Sequence, residues 1–157
     1  MAGPVGRAIS LIAVLLIGPM AVAETEPCRP IPGLDPLLTH GRVLLLGEIH
    51  GTDQAPRFTL DVVCAAAAAD LPVIVGLEIP TREQPLVDRF LASTGAPGDR
   101  PALLRGSHWQ SDYQDGRGSA AMADLLDGLR RLRQQGRKVR VVLFDSPGGG
   151  EIGRAHV

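Results

Sequence analysis

Three short runs of the chain are apolar without alternation, and each closes on a carboxylate: Arg42 to Glu48, Val73 to Ile79 with Glu78 near its end, and Lys138 to Asp145. A strand with no polar face needs cover on both sides, which is the habit of parallel sheets. Stretches of helical character separate the runs. The order reads β-α-β-α-loop-α-β, and the predicted fold class is α/β, a parallel sheet with packed helices. Three strands are few for such a sheet, and the third ends almost where the chain ends. We therefore expect the domain to be incomplete at its C-terminus.

The helices are read from punctuation and period. Thr52 is a plausible N-cap for a helix from about Asp53 to Asp70, and Pro56 falls in a first turn where its missing N–H costs nothing. Phe58, Val62, Val63 and the alanine run give that helix a close-packing surface, and Pro72 stops it. Arg82 to Ser93 reads as a second helix, with Leu86, Val87, Phe90 and Leu91 on one side. Thr94 to Gly106 reads as a Gly/Pro-rich loop, continuing through Ser107-His108-Trp109 and Tyr113 to Asp115-Gly116-Arg117. Ser119 can cap a third helix from Ala120 to Gln135, in which Met122, Leu125, Leu126, Leu129 and Leu132 recur at helical spacing. Gly136 ends it.

Residues 1–23 have the marks of a secretory signal peptide: Arg7, an apolar run from Ala8 to Ile17, and Ala21-Val22-Ala23 as a small-x-small cleavage site. The run is too short to span a bilayer, so no stable membrane span is expected after cleavage, and the protein is predicted to be periplasmic or secreted. Residues 24–41 form a proline-rich, irregular lead-in with a short helical turn over Leu34 to Leu38, and residues 42–150 form the α/β domain. The string Glu151-Ile152-Gly153-Arg154-Ala155-His156-Val157 looks like a common sequencing adapter translated in frame. We expect 151–157 to be non-native, which removes His156 as a ligand. Ordinary coding sequence at that point of the nucleotide record would refute this.

With 16 basic and 17 acidic residues the net charge is −1, which offers no electrostatic footprint for nucleic acid. The partner class left is a small-molecule or peptide substrate. Export permits a disulfide between Cys28 and Cys64, which would pin the lead-in to the first helix. Neither cysteine has the neighbours of a nucleophile.

The chemistry should sit at the strand ends. In a parallel sheet Glu48, Glu78 and Asp145 share one edge, and His50, two residues beyond Glu48, can join them. Two solutions follow. A divalent metal held by His50, Glu78 and Asp145 would acidify a bound water. Alternatively, with no metal, His50 acts as general base while Glu48 or Glu78 orients it. Free N–H groups at the start of the first helix would favour an oxyanion. Arg117 can clamp a carboxylate or phosphate, or pair with Asp112 or Asp115. In the plainer reading Glu78 is bridged to an arginine such as Arg117, and Asp145 caps whatever follows. His40 and His108 are weaker candidates, and Trp109 and Tyr113 read as loop packing.

Gly47-Glu48-Ile49-His50-Gly51-Thr52, followed one strand later by Leu77-Glu78-Ile79-Pro80, resembles the superfamily of Tiki/TraB proteins, ChaN-like haem-binding proteins and erythromycin esterases. The resemblance implies that Gly47 and His50 are a G-x-x-H pair, with Glu78 the acid on the next strand and Glu48 the acid within the motif. It implies a hydrolase-like, metal-dependent or metal-free site that activates water, or else haem or iron binding in uptake without catalysis. Asp53 and Gln54 stand where many ChaN-like proteins carry histidines, and no second G-x-x-H occurs before the chain stops.

Overall fold

The computed structural model describes residues 29–146. The expected signal peptide, its cleavage site, Cys28 and the C-terminal tail lie outside the described residues. What is described is a mixed α/β fold: α1 (Gln54–Ala68), β1 (Val73–Pro80), α2 (Gln84–Leu91), α3 (Asp99–Leu104), α4 (Ala120–Gln134) and β2 (Val139–Asp145). β1 and β2 pair in parallel, with Val73 opposite Val139 and Leu77 opposite Leu143, and the register shifts between Leu77 and Pro80. Among the described residues no helix is long and apolar enough to cross a membrane.

One face of this sheet carries the core. Val75, Leu77 and Ile79 of β1 and Val139, Val141 and Leu143 of β2 are buried against α1, α2 and α4. The expected stripe on α4 is all inside: Met122, Leu125, Leu126, Leu129 and Leu132. At Gly128 a Cβ would overlap the Leu60 side chain, so this glycine lets α4 approach α1 closely despite its poor helix propensity. Ser119 caps α4 as its position predicts, its Oγ accepting from the Met122 N–H at 3.2 Å. The opposite face is bare: Ile74, Val142 and Phe144 are exposed. Cover on both faces, expected from the apolar runs, is therefore not found among the described residues.

Two further expectations fail. Arg42 to Glu48 forms no strand; its backbone pairs with nothing in the sheet, and Leu45 is 92% exposed. Its apolar pattern is that of a strand, but a strand needs a partner, and pairing is not a local property. The loop from Thr94 to Gly106 contains α3. Gly98 stands at its N-cap and Pro101 falls in its first turn, where a proline is harmless, so residues read as breakers here begin a helix. Leu103 anchors α3 in the core.

The lead-in is tied down. Its helical turn is a 3-10 turn over Asp35–Leu37, Leu34 is buried, and Arg29 Nη2 lies 2.6 Å from Asp61 Oδ2 on α1. Cys64, one turn further along α1, is in a disulfide.

Candidate functional site

β1 and β2 deliver Glu78 and Asp145 to the carboxyl edge of the sheet. The turn before α1 delivers Glu48 and His50 to the same place. Each imidazole nitrogen faces an acid: Nδ1 lies 3.6 Å from Glu48 Oε1 and Nε2 lies 3.8 Å from Glu78 Oε2. These spacings are too long for direct hydrogen bonds. The side chains of Glu48 and His50 are partly buried and that of Glu78 is half exposed, so solvent reaches the cluster.

Arg117 stands at the centre of the remaining acids. Its Nη1 donates to Glu78 Oε1 at 3.2 Å and to Asp145 Oδ2 at 3.1 Å. Its Nε donates to Asp115 Oδ2 at 2.8 Å, and its backbone N–H donates to Asp115 Oδ1 at 3.0 Å. These two bonds, side chain first, hold the Asp115 carboxyl at about 2, well below its ordinary 3.8. The same carboxylate raises the Arg117 pKa further, so the guanidinium is a permanent cation.

The loop that carries Arg117 is fixed at two points. Glu83, buried at the start of α2, accepts from Ser107 Oγ at 2.5 Å and from the His108 N–H at 3.0 Å, while Trp109 enters the core. At the other end, Gly116 has φ +98°, and a Cβ there would overlap the backbone of Gly51 and His50. Only glycine permits both that backbone angle and that contact. The contact sets the Arg117 loop against the His50 turn. A small cavity of about 230 Å³ opens beside them, lined by Pro80, Arg82, His108, Gln114 and Arg117 among others.

The strand-end prediction thus brings together Glu48, His50, Glu78, Asp145 and Arg117. Of the two acids offered to Arg117 it is Asp115 that pairs, and the bridge of Glu78 to Arg117 is also found. Glu83 was missed, because the sequence holds no signal for it beyond an acid near a helix start. Gly47 has open space around it and lines a cleft beside β1. Of the predicted metal set of His50, Glu78 and Asp145, the two acids share the Arg117 guanidinium. Among the described residues no group of three or more His, Cys, Asp or Glu side chains is placed to hold a metal ion. At the start of α1 the N-cap is Asp53, and its side chain makes no capping hydrogen bond, where Thr52 was expected. Pro56 has no N–H, and the Thr52 hydroxyl donates backward to the Ile49 C=O at 2.8 Å.

Fold and site define a mixed α/β protein with an imidazole, four carboxylates and one guanidinium at the carboxyl edge of its sheet. No family model, curated protein or solved structure matches the chain.

Proposed function

We propose that the chain is an exported, hydrolase-like protein of the Tiki, ChaN and erythromycin-esterase type, whose site activates water without a metal. The observation that carries this is His50 lying between Glu48 and Glu78 while Arg117 supplies positive charge beside Glu78. Glu48 faces Nδ1 and orients the ring. Nε2 and Glu78 Oε2 are close enough for one water to touch both. As that water attacks an ester or amide carbonyl, Nε2 takes its proton and later returns it to the leaving group. Arg117, fixed by Asp115, offsets the charge that develops on the carbonyl oxygen.

The test is hydrolysis of a panel of small ester and peptide substrates by the full chain, with and without a chelator. His50→Ala should lower turnover by about 10²–10⁴-fold, the usual share of a general base, and the chelator should change nothing. Loss of turnover on chelation would restore the metal-dependent reading. A Soret shift on haem titration with no turnover would favour the uptake reading. Equal turnover by His50→Ala would remove His50 from the mechanism.

A further inference from the structure

We propose that the small cavity beside Arg117 holds one neutral sugar ring, so that the substrate of the site is an ester of a carbohydrate. For the reaction this rests on the hydrolase-like reading; for the binding it does not.

The cavity and the site share residues. Arg117 Nη1 reaches both Glu78, which faces His50, and Asp145, which lines the cavity. A ligand seated there is separated from His50 only by the Arg117 and Glu78 side chains. The volume of about 230 Å³ has room for about eight waters at about 30 Å³ each. That suits a single sugar ring with its hydroxyls and is too small for a longer chain.

The lining selects the ligand. Its two arginines, Arg82 and Arg117, are matched by two aspartates, Asp115 and Asp145. Asp115 is ionised at neutral pH, because its side-chain bond to Arg117 and then its backbone bond hold the carboxyl at about 2. With these charges balanced, a charged ligand would give up its hydration without meeting a net countercharge. An apolar ligand fits no better. Apart from Pro80 and Gly118, every lining residue carries a polar side chain.

A neutral polyhydroxyl ring needs donors and acceptors side by side, and the cavity has both. Arg82 is held at its Nε by Ser107 Oγ at 3.3 Å, which leaves its Nη groups to donate. Asp145 uses Oδ2 on Arg117 at 3.1 Å and keeps Oδ1 to accept. The hydroxyls of Ser111 and Tyr113 can do either. Tyr113 reads as loop packing in the sequence, yet it is 80% exposed and lines the cavity. Its ring combines an apolar face with a polar tip. A sugar, with C–H faces and a hydroxyl rim, uses both. In the reaction the water oxygen bonds to the ester carbonyl carbon as His50 Nε2 takes the water's proton. The bond from that carbon to the sugar oxygen then breaks, and Nε2 returns the proton to that oxygen, giving acid and free sugar.

Two measurements on the full chain test the assignment. NMR titration with glucose, glucosamine and glucuronate reads binding alone. Glucose should shift the amides of Tyr113, Gln114 and Gly118 saturably and bind more tightly than the cationic or the anionic sugar. Tyr113→Ala should weaken glucose binding by about three- to tenfold, and Tyr113→Phe should recover most of it, because stacking needs only the ring. In the second measurement, 6-O-acetylglucose should exceed ethyl acetate in kcat/KM by about tenfold or more, mainly through KM. Tyr113→Ala should narrow that gap. Tighter binding of glucosamine or glucuronate would overturn the proposal, because one charge would then rule the cavity. So would glucose shifts that never saturate or that spare these three amides. Equal turnover of the two esters without glucose binding would overturn it and leave the hydrolase reading standing. Saturable glucose binding with no turnover of either ester would support the sugar subsite and remove the hydrolase reading alone.

Discussion

On the outer border of β2, the Gln84 carboxamide stands in for a strand. Its Nε2 donates to the Val141 C=O at 3.3 Å and its Oε1 accepts from the Leu143 N–H at 2.8 Å. The matching border of β1 faces an open cleft lined in part by residues 42–48. The difference lies in where each cover comes from. Gln84 opens a helix already packed on the sheet, so one amide with a donor and an acceptor satisfies the edge at no extra ordering cost. The border of β1 has no such neighbour among the described residues. Edges can be finished cheaply by a neighbour or expensively by a distant part of the chain.

Single substitutions separate the two borders. Gly116→Ala should have the largest effect, because it forces a side chain into a positive-φ position against the His50 turn. We expect about 1–3 kcal/mol of lost stability, read by urea unfolding through the fluorescence of Trp109, the chain's single tryptophan. The Leu143 amide should stay protected; if it does not, the borders are coupled. Gln84→Ala strikes the other side. It should cost about 1–2 kcal/mol for two backbone groups left unpaired, and speed exchange at Leu143 but not at Val75.

Arg117→Met leaves Glu78, Asp145 and Asp115 without their shared cation. The site is part exposed, so about 1–2 kcal/mol is expected, between exposed and buried pairs. A loss as small as that of an exposed surface arginine would show that the acids are already satisfied by solvent.

The smallest effect is on pH. A carboxyl whose pKa is depressed in the folded state stabilises the fold above its unfolded value. For Asp115 that contribution is full above pH 3.8 and drains away as the pH falls toward about 2. The urea midpoint should therefore drop across this window in the parent chain, and this part of the drop should vanish in Arg117→Met. A persistent drop of equal size would assign it to other acids.

Most of the helical layer and both paired strands are legible in the chain, because their signals are local. α4 has a period, a serine cap and a terminal glycine, and β1 and β2 are short apolar runs between turn residues. α3 was hidden because its residues Gly98 and Pro101 break helices everywhere except at a helix start. The segment from Arg42 to Glu48 shows the limit of this approach. Its composition is that of β1, yet composition cannot supply the neighbour that makes a strand. At the site, the convergence of Glu78, His50 and Asp145 followed from the parallel topology. The choice of Asp115 over Asp112 was left open in the sequence; it is made by a local turn in which Asp115 accepts from both the backbone N–H and the Nε of Arg117.

Among the described residues the sheet is dressed with helices on one side only, and Ile74, Val142 and Phe144 lie bare on the other. Such a molecule should behave as an amphiphile while fully native. Dyes that light up on greasy surfaces, detergent micelles and hydrophobic resins should all take it up at room temperature, with its amide protection unchanged. Dye uptake, usually taken as a sign of unfolding, would in this protein report the intact sheet.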